Sequence, residues 1–361
     1  MSNVISDKKI KNTRISVRPF VYNIPSISAV SIRFIILLMI QIIMLAITKS
    51  YSALIVIASC TLAALFSAAI NQFINKEPVY NIINIILPGI LIGMLLPESY
   101  PPMIAFIITA LTIFISRSIV FKGVNCWLNV STLAIIIAWY IGRQYFPTYL
   151  VNSGNINLRN TSVYLIENGT FPTYSFDPSV TAFLNKYIFS IFNVNVPEGF
   201  ISLMWDTHSV IPAFRFNIIT ILSSIVIFSD NSFSLIIPTL FVTVYATFVR
   251  LFGPFLFGGY FNQGDIILAI MTSGILFCAT YLIQWYGTSP ITIGGKFILG
   301  AVSGALAFAI IGVGTSPIGM IFTVLCTNIC CIIIRIFEEK NNEIAVSKVI
   351  EKLSAKAKME E

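Results

Sequence analysis

Ten continuous apolar stretches fill this chain. They run over residues 30–48, 53–72, 80–96, 103–121, 127–145, 214–229, 233–252, 266–285, 297–313 and 318–337. A bilayer core is ~30 Å thick and a helix rises ~1.5 Å per residue, so about 20 apolar residues cross it. In lipid the backbone polar groups must pair internally, which leaves helices or a closed barrel. These stretches show no in/out alternation, so the sequence predicts an all-α integral membrane protein of about ten helices. Charged residues make up 10% of the chain, against ~25% in an ordinary soluble domain.

The few charges predict an orientation. Lys8, Lys9, Lys11, Arg14 and Arg18 precede the first stretch, and Arg335, Lys340, Lys348, Lys352, Lys356 and Lys358 end or follow the last. An even number of spans puts both termini on one side, and the excess of Lys and Arg makes it cytoplasmic. Lys76, Arg117, Lys122 and Lys296 fall on the same side, Lys49 and Arg250 on the other. The net charge of +7 is thus read as topological and as attraction to lipid headgroups, with no nucleic-acid partner. The resulting organisation is a cytoplasmic arm (1–29), a membrane domain (30–337) with an extracytoplasmic loop (146–213) between the fifth and sixth helices, and a cytoplasmic tail (338–361) read as a short amphipathic helix.

Five spans on each side of the loop predict two inverted five-helix repeats. The third span of each half carries helix-breaking or small residues: Pro88, Gly89 and Gly93 in the first, Ser273 and Gly274 in the second. Interrupted helices of this kind line sites near the membrane midplane; small residues also serve plain helix packing. No acidic residue stands deep in a span, since Arg33, Asp265 and Lys296 lie near span ends. That argues against a self-sufficient ion pump and for a scaffold that holds a cofactor or conducts a neutral species.

Outside the spans, the loop residues Phe171, Tyr174, Phe176, Phe183 and Tyr187 offer walls for a flat ring or anchors at the headgroup layer. Residues 182–192 follow helical spacing, with Phe183, Tyr187 and Ile188 on one side. His208, the only histidine, has no second ligand-type residue clustered with it and reads as a hydrogen-bonded surface group. Cys326 and Cys330 are one helical turn apart and read as small thiols packing between helices.

Ordered small-residue motifs carry a family resemblance over about residues 30–335. Gly264-Asp265 opens the eighth span and Ser273-Gly274 lies inside it. Thr288-Ser289-Pro290, Gly295, Gly300, Gly304, Pro317, Gly319 and Asn328 follow, after Gly89, Pro97, Pro101, Gly123, Asn125 and Asn129 in the first half. In these the chain resembles the D-type subunit of the Rnf electron-transport complex and the B-type subunit of the sodium-translocating NADH:quinone reductase. The resemblance implies a membrane subunit of a flavin-containing, ion-translocating complex in the bacterial cytoplasmic membrane, partnered by the other subunits of an Rnf-like assembly. It also implies FMN joined through its phosphate to a threonine after span five, or riboflavin held without a covalent bond. The matching threonine is Thr181, with Asp177 and Ser179 beside it. Here Pro178, Ser179 and Val180 stand where the family carries Ser or Thr, Gly and Ala, and Trp285 and Ile318 stand where it carries acids. The residues alone leave a second reading open: a transporter or channel for a small neutral solute, built on the same repeats.

Overall fold

The computed structural model describes residues 25–75, 82–116, 128–147, 173–193, 195–229, 233–255, 260–285, 287–312 and 318–360. Arg14, Lys76, Arg117, Lys122, Gly123, Asn125, Phe171 and Pro317 lie outside them. Among the described residues there are helices and turns and no strand. The first group of helices is α1 (Ile27–Ile47), α2 (Tyr51–Asn75), α3 (Ile82–Leu95), α4 (Pro102–Ile115) and α5 (Val130–Ile141). Two loop helices follow, α6 (Asp177–Tyr187) and α7 (Phe200–Trp205). The second group is α8 (Asn217–Phe228), α9 (Ile236–Phe252), α10 (Ile266–Thr272), α11 (Ile293–Ile311) and α12 (Gly319–Glu360).

Stretches Ile27–Ile47, Tyr51–Ile74, Ile293–Ile311 and Gly319–Lys348 are long and apolar enough to cross a membrane. Five further apolar helices, α3, α4, α5, α8 and α9, are shorter than 18 residues. The described residues are those of a helical membrane protein, with several helices shorter than the apolar runs they occupy. In part this is because the apolar runs themselves extend over residues 80–81, 117–121 and 127, outside the described ones. In part it reflects local chemistry: the Pro101 turn starts α4 and Asn129 caps α5 by accepting from the Ser131 N–H.

Small residues set how closely the helices pack. A Cβ at Gly89 would lie 2.5 Å from the Ala64 Cβ, and one at Gly93 would lie 2.6 Å from the Ile57 Cα. The Gly89–Gly93 face of α3 is therefore a seam against α2, the small-xxx-small contact of membrane helices. Gly300 and Gly304 do the same for α11 against α9, where added Cβ atoms would meet Leu240 and Val244 at 2.8 and 2.7 Å.

The expectation of an interruption in the third span of each half holds for only one half. α3 runs as a helix through Pro88. The eighth stretch does break. α10 ends at Thr272, Gly274 takes φ +75°, and a three-residue turn (Ile275–Phe277) leads into a π-helical turn at Cys278–Leu282. Gly274 is required twice: its φ is left-handed, and a Cβ would lie 2.5 Å from the Phe214 ring. The tail differs as well. It continues the last membrane helix without a break, as α12 to Glu360, because residues 320–360 contain neither Gly nor Pro.

Candidate functional site

The loop after α5 is organised by one carboxylate. Asp177 opens α6 and is 0% exposed. Its Oδ1 accepts from the Gly199 N–H (2.8 Å) and the Thr181 hydroxyl (3.0 Å). Its Oδ2 accepts from the Ser202 N–H and the Ser202 hydroxyl, both at 2.6 Å. Gly199 and Ser202 belong to the start of α7, so Asp177 ties the two loop helices into one knot. Burial alone would push the Asp177 carboxyl up. The donors of Gly199, Ser202 and Thr181 outweigh it and hold the group below its ordinary value.

Thr181 sits one turn further along α6, 3% exposed. Its hydroxyl proton is committed to Asp177. A phosphate esterified there would lose that bond, bring a second negative group against a buried carboxylate, and find no cation among the described residues of the knot. Ser179 is exposed on the same helix and takes no part in the knot. Of the three residues named from the resemblance, the structure joins Asp177 and Thr181 and leaves Ser179 aside.

A second cluster lies next to the knot. The Ser202 hydroxyl accepts from the Tyr174 N–H (2.9 Å), and the Tyr174 hydroxyl donates to Asp206 Oδ2 (3.3 Å). Arg215 Nε donates to both Asp206 oxygens, at 2.8 and 3.0 Å. Arg215 also reaches Ser50, between α1 and α2, through Nη1, so one guanidinium links the loop to the first helical pair. Burial first, and then the Asp206 carboxylate, push the Tyr174 phenol up. The His208 N–H donates to Asp206 Oδ1 (2.8 Å) while the backbone there holds φ +52°. This agrees with the reading of His208 as a hydrogen-bonded surface residue; its side chain is 37% exposed.

The loop aromatics divide. Tyr174 and Phe176 stack at 5.3 Å and meet His208 and Trp205. Phe183 and Tyr187 pair at 4.9 Å on the exposed side of α6. The helix read over 182–192 thus starts earlier, at Asp177, and gives way to a 3-10 turn at Phe189–Phe192.

The broken eighth stretch lies behind this cluster. Asp265 caps α10 by accepting from the Leu268 N–H (3.1 Å). A Cβ at Gly264 would lie 1.9 Å from the Val249 carbonyl oxygen. The Gly264-Asp265 motif is a close crossing followed by a cap. Below the break, the Asn129 side chain donates to the Leu282 carbonyl (3.2 Å), using a π-turn acceptor to join the halves.

Sequence reasoning missed Asp206, Arg215 and Glu338. Glu338, 7% exposed, accepts from the Ile291 and Thr292 N–H groups (2.9 and 3.0 Å) and from the Thr292 hydroxyl, and so holds α12 to the start of α11. The signal was there: in so apolar a chain an acid beside a span needs a partner.

The family model for the NQR2, RnfD, RnfE family matches residues 14–343. Among curated proteins none matches the chain.

Proposed function

Because the chain belongs to the NQR2, RnfD, RnfE family, we propose that it is the D-type membrane subunit of an Rnf-like, ion-translocating electron-transport complex. Membership itself makes the protein a membrane subunit of such a complex. The observation that carries the reading is the match over residues 14–343, which takes in α1 to α11 and the apolar part of α12. In this reading the bacterial cytoplasmic membrane holds the ten-span frame, both termini face the cytoplasm, and the knot at Asp177 faces the other side.

The packing pattern supports an inverted repeat. α2 packs on α3 and α4 as α9 packs on α10 and α11, and α4 meets α5 as α11 meets α12. α1 and α8, the first helices of the two halves, touch each other, with Gln41 donating to the Thr220 hydroxyl (2.9 Å).

A flavin on this chain is proposed to be held without a phosphoester, as riboflavin or free FMN, since Thr181 is committed to Asp177. Any redox chemistry would belong to that ring, and the protein would set its surroundings. The solute-channel reading finds no support in the packing. Phe233, Phe34, Tyr281, Phe277 and Phe214 form a chain of ring contacts, 4.8–6.3 Å between successive centroids, that fills the space between α1 and the broken stretch.

The test is mild solubilisation of the affinity-tagged chain. It should emerge in fixed stoichiometry with redox-active subunits. Recovery of the chain alone, from membranes that retain the remaining complex intact, would overturn the proposal.

A further inference from the structure

Asn328, Cys331, Arg335 and Glu339 lie along one side of α12 and line a cavity of about 240 Å³ against Gly287. Spacings of three and four residues keep them on one helix face. Asn328 is 0% exposed, yet neither its amide nitrogen nor its amide oxygen has a hydrogen-bond partner. Arg335 gives Nη1 to the Gly287 carbonyl (2.7 Å), while its buried Nε has none. Buried donors without partners are costly, so this cavity is shaped for a ligand that brings oxygen acceptors.

Charge and depth narrow the ligand. Glu339, an exposed residue, lines the cavity, and Glu338 lies close enough to feel Arg335. A net anion would meet two carboxylates, and a bare cation would meet the guanidinium. A zwitterion suits both. The apolar run of α12 ends at Phe337, and Ile336 and Phe337 are exposed, which puts Arg335 and Glu339 at headgroup level. By helix rise Glu339 is about 6 Å above Arg335, and Asn328 about 10 Å below it.

We infer that this cavity binds an amine-headed zwitterionic phospholipid. The phosphate takes the Arg335 Nε–H, the primary ammonium donates to Glu339, and the Asn328 amide nitrogen donates to an ester carbonyl. The amide oxygen is met by water entering with the headgroup. Ile332 and Ile336 flank the acyl chain.

The test is native mass spectrometry of the full chain released from nanodiscs holding equal amounts of phosphatidylethanolamine and phosphatidylglycerol. The expected result is about tenfold preferential retention of phosphatidylethanolamine, the size of a charge-assisted contact. Glu339→Gln, an exposed change, should bring the preference to about one. Asn328→Leu removes an unpartnered amide and so spares the fold, yet should lower phosphatidylethanolamine retention severalfold. Equal retention of both lipids by the wild-type chain overturns the inference, as does wild-type retention by both variants. Displacement of the lipid by an equimolar amount of glycerophosphoethanolamine also overturns it, since the site would then take a soluble headgroup compound.

Discussion

Asp177 shows how much of the loop rests on a single side chain. Four donors converge on its carboxylate, and Asp177→Ala would leave them buried without an acceptor. Each such loss costs about 1–3 kcal/mol, so the variant should lose amide protection at Gly199 and Ser202 in hydrogen exchange while the membrane helices keep theirs. The pH dependence follows from the lowered carboxyl. A depressed folded-state value contributes stability that is fully present above the unfolded value and lost as pH falls through the folded one. Protection of those amides, corrected for intrinsic rates, should hold from neutral pH down to about 4 and fall only below that. Arg215→Ala would leave Asp206 buried and uncompensated, a loss of about 3–5 kcal/mol, which thermal unfolding in detergent would detect. Asp177 and Thr181 were legible as neighbours because they are four residues apart. Gly199 and Ser202 were not, since they reach Asp177 from 22 and 25 residues away, across a stretch with no periodicity to follow.

At the scale of elements, glycines decide which helices touch. Gly304→Leu should push α11 off α9, because even a Cβ would lie 2.7 Å from Val244. An overpacked seam costs about 1–3 kcal/mol, and the variant should unfold at lower temperature than Gly294→Ala, where no atom lies within 4 Å. Gly274→Ala adds backbone strain to a clash with Phe214 and should be more damaging than either. Apolar periodicity located the helices, since lipid imposes a composition that sequence displays directly. It did not locate their ends. Those depend on Asn129, Asp265 and Thr292 as caps and on which Gly stands where φ must be positive. Pro88 and Gly274 look alike as helix breakers on paper. Only Gly274 breaks its helix, because Phe214 occupies the space a side chain would need, whereas the glycines beside Pro88 serve a seam.

For the whole molecule, the loop knot, the Arg215 link to Ser50 and the Asn129 link to Leu282 join the two helical groups into one body. The membrane class was legible from charge scarcity and ten apolar runs. The Rnf-like resemblance was legible from the order of small residues, several of which prove to be packing contacts: Gly89, Gly264, Gly300 and Gly304. That the Thr181 hydroxyl donates to Asp177 was not, since a threonine's sequence context says nothing of whether its hydroxyl is free. An intact mass of the purified chain should accordingly show no FMN adduct on the peptide carrying Thr181. The most direct test of the central claim is ion uptake by membrane vesicles, driven by a low-potential reductant, from cells with and without this chain. Uptake lost on deletion and restored by the wild-type chain is the predicted result. Uptake at the same rate in both membranes would contradict the assignment to an ion-translocating electron-transport complex.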